Sequence, residues 1–337
     1  MSITIRDLAR RLNLSITTVS RALDGYTDVA ESTRERVTRA AAEVGYTPNR
    51  AARQLRRQRT DTIGYILPAR QPRFSDPFFS DFMAGLGDAA SDLNYDLLVS
   101  TAAPGEASER DLYARWMNGR KVDGFVLNRM RLQDWRVQFL SANRVPFVSL
   151  GKSQDGVSYP CVTVNDRHAS FNLARHLIAG GRRRLAFIGA SPDLVIATER
   201  LGGFKDALAE ASLPVDPALI IPCELARQDG LLAARRLLEL DRPPDGIVCA
   251  NDLLAIGAMA AAAERGLRVG VDLALAGFDN IEESAHAQPP LTTLSQPVYE
   301  IGLMLVKMLV DVLNDPSAPV SSVNLDPELV IRASTTG

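Results

Sequence analysis

Four apolar runs in this chain end in polar side chains suited to gripping a hydroxylated molecule. Gly246–Ala250 ends in Asn251-Asp252, and Leu273–Gly277 runs into Phe278-Asp279-Asn280. The run near 185–190 leads to Glu199-Arg200, just before Gly202-Gly203, and Thr62–Pro68 precedes Asp76-Pro77-Phe78-Phe79. Arginine, asparagine and aspartate present forked donors and acceptors, and with an aromatic ring alongside they suit a polyhydroxylated ligand. Any one of them can instead cap a helix, Asn251 and Asp76 above all. The residue types leave both readings open at each position; the placement of all four groups at strand ends is what favours a binding site.

A different chemistry is offered near the amino terminus. A short helix expected from Ile16 to about Leu23 turns Val19, Ala22 and Leu23 inward and leaves Thr17, Thr18, Ser20 and Arg21 as a hydrogen-bonding face. Ser15 caps it. Before it, Thr4 caps a helix whose apolar residues Ile5, Leu8, Ala9 and Leu12 fall at i, i+3, i+4 and i+7, and Asp7 completes a capping box. Asn13 tolerates the left-handed turn between the two helices. Ser32-x-x-Glu35 reads as a second capping box ahead of a third helix with Val37, Ala40, Ala41 and Val44 inside, stopped by Gly45. Two short helices joined by a tight turn, the second polar outside, form a helix-turn-helix that reads DNA.

Charge follows the same division. Residues 1–60 hold twelve arginines and no lysine against six acidic residues, a surplus of six positive charges in a chain whose net charge is −2. A basic head on an acidic body is the footprint of phosphate binding, with affinity falling steeply as salt rises. Residues 46–60 continue the basic run with Leu55 as the only large apolar side chain after Pro48. Such a segment folds only when a partner supplies the missing surface. It is either a plain basic linker or a wedge, with the leucine entering the minor groove while arginines hold phosphates.

From residue 61 onward, short apolar runs alternate with amphipathic helices, which predicts parallel sheets covered on both faces and, over this length, two similar lobes. Ligands of such sheets bind at the carboxyl ends of the strands, so two facing lobes would close around a small molecule. The expected fold is therefore an all-α helix-turn-helix head plus an α/β core of two doubly wound parallel-sheet lobes. The domains are 1–47 (helix-turn-helix, DNA binding), 48–60 (linker) and 61–337 (core, effector binding). Within the core, about 61–162 and 294–322 make the first lobe; about 163–290 and 323–337 make the second.

Other classes fare poorly. No G-x-G-x-x-G, Walker A or nucleophile-elbow sequence sits where a strand meets a helix, and His168, His176 and His286 are scattered, so an enzyme is not expected. Cys161, Cys223 and Cys249 lack metal or redox spacing and read as buried free thiols; neither metal nor cofactor is expected. A solute-binding transport protein would share the core but not the basic head, and no apolar signal-peptide core or membrane span is present. The expected location is the cytoplasm.

The head, ITIRDLARRLNLSITTVSRALDGYTDVAESTRERV followed by AAEVGYTPNRAARQL, resembles the lactose-repressor/galactose-repressor (LacI/GalR) family of bacterial transcription regulators. The body continues the match in order through TIGYILP, DPFF, VDGFVLN, HLIAGGRRRLAFIG, ERLGGF, ANDLLAIGAM, LALAGFDN, PPLTTLSQP and ELVIRAST. The resemblance implies a homodimer holding two heads on a pseudo-palindromic operator, with a small effector in the cleft of a periplasmic-binding-protein-like core. It places Ile16, Thr17 and Arg21 on base edges, with Thr4, Ser15 and Ser20 completing the DNA-facing set. It makes Leu55 the minor-groove wedge, with Asn49, Ala52 and Arg53 beside it. In the core it assigns Arg200, Asn251 and Asp279 to effector oxygens and Phe79 to an aromatic pocket edge. Asp76, Phe78, Asn128, Arg129, Lys152, Leu225 and Gln296 complete the expected effector set. Asn13 replaces the usual glycine of the head's turn, and Leu225 stands where some sugar-binding relatives carry an aromatic ring. The chain stops soon after ELVIRAST, without a heptad tail, so a dimer is expected. Asn128-Arg129-Met130-Arg131, with Asp134 and Arg136, looks like a subgroup responsive to α-glucosides. The effector is accordingly expected to be a sugar that releases a repressor, with a non-sugar effector or co-repressor such as a nucleobase as the alternative.

Overall fold

The computed structural model describes residues 3–46, 59–67, 76–103, 105–317 and 319–336. The chain divides into two units, Met1–Thr60 and Asp61–Gly337.

Among its described residues the first unit has three helices: α1 (Ile5–Leu12), α2 (Ile16–Leu23) and α3 (Glu31–Glu43). Leu8, Val19 and Val37 meet in its core, each at most 1% exposed, with Ala9, Ala22, Ala40 and Ala41 allowing close packing around them. The capping box at Thr4 forms, with Asp7 N donating to Thr4 Oγ1 and Thr4 N donating to the Asp7 carboxylate. Asn13 takes the left-handed conformation, φ 51°, that its short polar side chain tolerates. The third helix departs from expectation. It starts at Glu31, with Ala30 as its cap and no side-chain capping bond, so Ser32 lies inside the first turn. Glu31 instead occupies the position where an acidic side chain complements the helix N-terminus, and it pairs with Arg34. The expected hinge residues Asn49, Ala52, Arg53 and Leu55 lie outside the described residues.

The second unit contains two parallel sheets. The first has six strands: β1 (Thr62–Leu67), β2 (Asp96–Thr101), β3 (Gly124–Leu127), β4 (Phe147–Leu150), β5 (Cys161–Val164) and β11 (Ser322–Leu325), in the order β11-β5-β4-β3-β1-β2. The second has four: β6 (Leu185–Gly189), β7 (Ile220–Pro222), β8 (Gly246–Cys249) and β9 (Ala274–Ala276), in the order β7-β6-β8-β9. The central strands β3, β6 and β8 are buried on each face, as their continuous apolar runs require, while the edge strands β2, β7 and β11 are more exposed. The lobe boundaries differ from the expected ones. Cys161–Val164 pairs with β4 and with β11, so both strands belong to the first lobe, and the crossings fall after Val164 and Leu325. A further crossing runs through β10 (Thr293–Ser295), which pairs antiparallel with β12 (Glu328–Val330) between the lobes. Cys161 and Cys249 are buried thiols, as expected, whereas Cys223 is only partly buried.

Candidate functional site

On the head, α2 presents the expected face. Ser15 Oγ accepts from Thr18 N at 3.0 Å, fixing the start of the helix, and Val19 beneath is fully buried. Ile16 is 45% exposed and Thr17 is also exposed, so an apolar group and a hydroxyl project together. Arg21 does not hang free: its Nε donates to Asp28 at 3.2 Å, and its guanidinium lies 4.8 Å from the centre of the Tyr26 ring. Ser20 is half-buried and Thr4 is exposed. Asp28 engages the Nε and Nη2 edge of the Arg21 guanidinium, so a base contact by Arg21 would exchange that ion pair for the base edge.

In the core, a cavity of about 60 Å3 lies between the lobes at the carboxyl ends of the strands. Nine of the expected residues line it: Asp76, Phe78, Asn128 and Arg129 from the first lobe, Arg200, Leu225, Asn251 and Asp279 from the second, and Gln296 from a crossing segment. Two do not. Phe79, one residue on from Phe78 in the helix Pro77–Asp92, is rotated into the first lobe's core, 1% exposed, and meets the site indirectly, through Phe78, whose ring centre is 5.5 Å away, and Arg129, whose guanidinium sits 4.9 Å from its ring centre. Lys152 is exposed, because the chain turns at Gly151 (φ 90°) after Leu150 and Gly151 have lined the wall.

Arg200 is the organising group of the second lobe's wall. Its Nε donates to Asp166 Oδ1 at 2.7 Å, its Nη1 to the Ala250 carbonyl, and its plane lies 3.4 Å from the centre of Phe278. That meeting depends on Gly203. The helix Val195–Glu210 carries Arg200 and the helix Asp166–Ala179 carries Asp166; a Cβ at Gly203 would stand 1.9 Å from the Arg167 carbonyl and force the helices apart. Asp166 is not among the residues marked from the sequence, where an acidic residue at the start of a helix reads as ordinary first-turn charge. Val164, Ile196 and Leu150 were also missed: apolar wall residues look like ordinary core.

Two residues cap helices and also line the cavity. Asn251 Oδ1 accepts from Leu254 N at 3.0 Å and caps the helix Asp252–Glu264, while its Nδ2 donates to the Leu225 carbonyl at 3.4 Å. Asp76 Oδ1 accepts from Phe78 N at 3.1 Å and lies 3.7 Å from Arg129. Asp279 is held by Gln296 Nε2, which donates to Oδ1 at 2.6 Å, and its backbone is strained at φ 103°.

The electrostatics run one way. Burial pushes the Asp279 carboxyl well above the usual carboxylate range, against the attraction of Arg200. Burial also raises Asp166, opposed by Arg200, and Asp76, opposed by Arg129. Arg129 is lowered by its own burial despite Asp76. The protein's own pairs therefore do not fully offset the cost of burying these groups. Among the described residues no group of three metal-ligating side chains could hold a metal ion, and no helix is long and apolar enough to cross a membrane.

A DNA-reading helix pair at the amino terminus and a two-lobed parallel-sheet core with a polar cleft define a ligand-responsive regulator. The comparisons agree. Residues 4–49 match the bacterial regulatory proteins of the lacI family, and residues 174–335 match the periplasmic binding protein-like domain. The HTH-type transcriptional regulator AglR of Rhizobium meliloti (strain 1021) is 34% identical over 340 residues, covering 99% of this chain and 95% of its own. The lac repressor dimer bound to operator and the anti-inducer ONPF superposes with a TM-score of 0.85 at 26% identity, covering 100% of both chains. The transcriptional regulator CelR in complex with cellobiose gives 0.76 at 29% identity, covering 98% of this chain and 99% of its own. The chain belongs to the lacI family of bacterial regulatory proteins.

Proposed function

We propose that this lacI-family regulator is a cytoplasmic homodimeric repressor that grips a pseudo-palindromic operator and is released by a small neutral sugar, an α-glucoside first among the candidates. The observation that carries the sugar is the charge balance of the cleft. Asp76, Asp166 and Asp279 face only Arg129 and Arg200, and every one of the three carboxyls is driven up by burial. Hydroxyl groups would donate to those carboxyls, whereas an added phosphate would meet a surplus of like charge. The cellobiose complex of CelR and the operator-bound lac repressor dimer support the same reading by similarity.

A ligand shifts the balance between two states only by its differential affinity for them, typically ~1–3 kcal/mol of coupling per site. Gln296 gives that coupling a route, because it belongs to a segment crossing between the lobes and bonds Asp279 directly. Sugar bonded to both walls would draw the lobes together and change the spacing of the two hinge segments, withdrawing Leu55 from the minor groove.

The test is binding of the purified protein to a fluorescent copy of its own upstream DNA, titrated with mono- and disaccharides. Release by a sugar is expected. Retention with every sugar, together with release or tightening by a nucleobase, would overturn it. Leu55→Ala should weaken operator binding far more than nonspecific binding; equal losses would remove the wedge.

A further inference from the structure

The helix Val195–Glu210 faces two cavities. Ile196 and Arg200 line the cleft, whereas the neighbouring row, Ala197, Leu201 and Lys205, lines a separate chamber of about 390 Å3 built wholly from the second lobe. The adjoining helix Asp166–Ala179 is shared in the same way, with Asp166 in the cleft and Arg167 in the chamber. We infer that this chamber is a second, regulatory site for a small carboxylate with an apolar body, and that its occupancy reaches the cleft through the Arg200–Asp166 pair.

The chamber is apolar and held open by small residues. Phe187, Ala190 and Ala197 are each at most 5% exposed, and Ile220 and Ile221 of the edge strand β7 form the opposite wall, half-buried. A Cβ at Gly189 would stand 2.3 Å from the Phe187 ring, so the ring can lie along its own strand as a flat wall. A Cβ at Gly202 would stand 2.7 Å from Arg167 Nη1; its absence lets that guanidinium rest against the helix at the chamber's rim. The volume falls within the roughly 300–1,000 Å3 of small-molecule sites.

Charge selects the ligand. Two cations and no acidic side chain line the chamber. Asp206 takes the Nε and Nη2 edge of Arg167, at 2.7 and 2.9 Å, and Glu199 acts on the same arginine at longer range. Lys205 is exposed and has neither hydrogen bond nor ion pair among the described residues, so it is the uncompensated charge. The cleft has the opposite balance, three carboxyls to two arginines. A single carboxylate on Lys205 would make a charge-assisted bond while its apolar body covers Phe187 and the isoleucines. A sugar would bury its hydroxyls against those walls without partners.

The link to the cleft is covalent and short. Arg200 adjoins Leu201, and Asp166 adjoins Arg167, so each member of the buried pair is one residue from a chamber wall. The two helices meet tightly at Gly203, where a Cβ would stand 1.9 Å from the Arg167 carbonyl. A ligand that displaces Leu201 or Arg167 must therefore move Arg200 relative to Asp166, and reciprocal coupling of the two sites follows.

Isothermal titration calorimetry of the intact protein tests this with benzoate, phenylacetate and hexanoate, each beside its uncharged alcohol. At least one acid should bind roughly tenfold or more tightly than its alcohol, the gain of one charge-assisted hydrogen bond. Lys205→Gln, at an exposed position, should erase that preference, and Thr198→Trp, which fills the chamber from its exposed rim, should abolish binding of acid and alcohol alike. Both variants should bind the protein's upstream DNA normally without acid, which certifies their folding. Saturating acid should shift wild-type affinity for that DNA by about fivefold or more and leave Lys205→Gln unmoved. Acid and alcohol binding alike, a preference that survives Lys205→Gln, or binding that leaves DNA affinity unchanged would overturn the site. Each outcome is independent of whether a sugar fills the cleft.

Discussion

On the recognition helix, Ile16 and Thr17 stand in solvent while Val19 and Ala22 beneath them hold the fold; in the cleft, Arg200, Asp166 and Asn251 are buried, line the cavity and hold the scaffold at once. The head therefore separates function from stability, residue by residue. The cleft cannot. A site that excludes water must pair its polar groups internally until ligand arrives, so each one is also a structural partner. Substitutions should split accordingly: face residues of the head should change binding alone, and cleft residues should change both response and stability.

Arg200→Ala is the strongest test of that contrast. It leaves Asp166 buried without its cation, for an expected loss of about 3–5 kcal/mol in urea unfolding. At temperatures where the variant stays folded, sugar response should vanish while operator affinity persists. An unchanged response would remove Arg200 from the ligand site.

Asp252 sharpens the comparison through pH. Burial pushes its carboxyl from 3.8 to about 7, against hydrogen bonds from Thr293 Oγ1 and Ile281 N. The folded form binds the proton more tightly than the unfolded form. Its stabilising contribution is thus complete below the unfolded value of 3.8 and is lost as pH rises through about 7. Asp76, Asp166 and Asp279 are pushed the same way. Unfolding of wild type and Asp252→Asn, compared from pH 4 to 8, should show the wild type losing ground as pH rises. Parallel curves would count against it.

Arg21→Ala belongs to the other side of the contrast. Operator affinity should fall by roughly 1–3 kcal/mol for a lost base contact. Stability should change by less than about 1 kcal/mol, because the Arg21–Asp28 pair is exposed at 42% and 54%. A larger loss in thermal unfolding would show that the head's face is structural too. The smallest effect is expected at Ser15→Ala, about 1 kcal/mol of head stability from the missing cap at Thr18 N.

Legibility followed the same line. Thr4, Asn13 and Ser15 do in the structure what their neighbours in sequence require, because caps and turns are settled within a few residues. Ser32-x-x-Glu35 failed because a nearby alternative start at Glu31 won. In the cleft, Asn251 and Asp279 are visible at strand ends, but Asp166 looks in sequence like ordinary first-turn charge on a helix, and Phe79 and Lys152 belong to the expected set although neither side chain reaches the cavity.

By itself, the order of residues determined the helix-turn-helix, the basic head, the strand-helix alternation and the presence of polar groups at strand ends, because each follows from local periodicity, capping and charge. Only the tertiary structure decided which of those polar groups share one cavity and that Arg200 is paired with Asp166. Those facts depend on how close two helices can approach at Gly203 and on which sheet a four-residue strand joins, and both are settled by contacts between segments far apart in the chain.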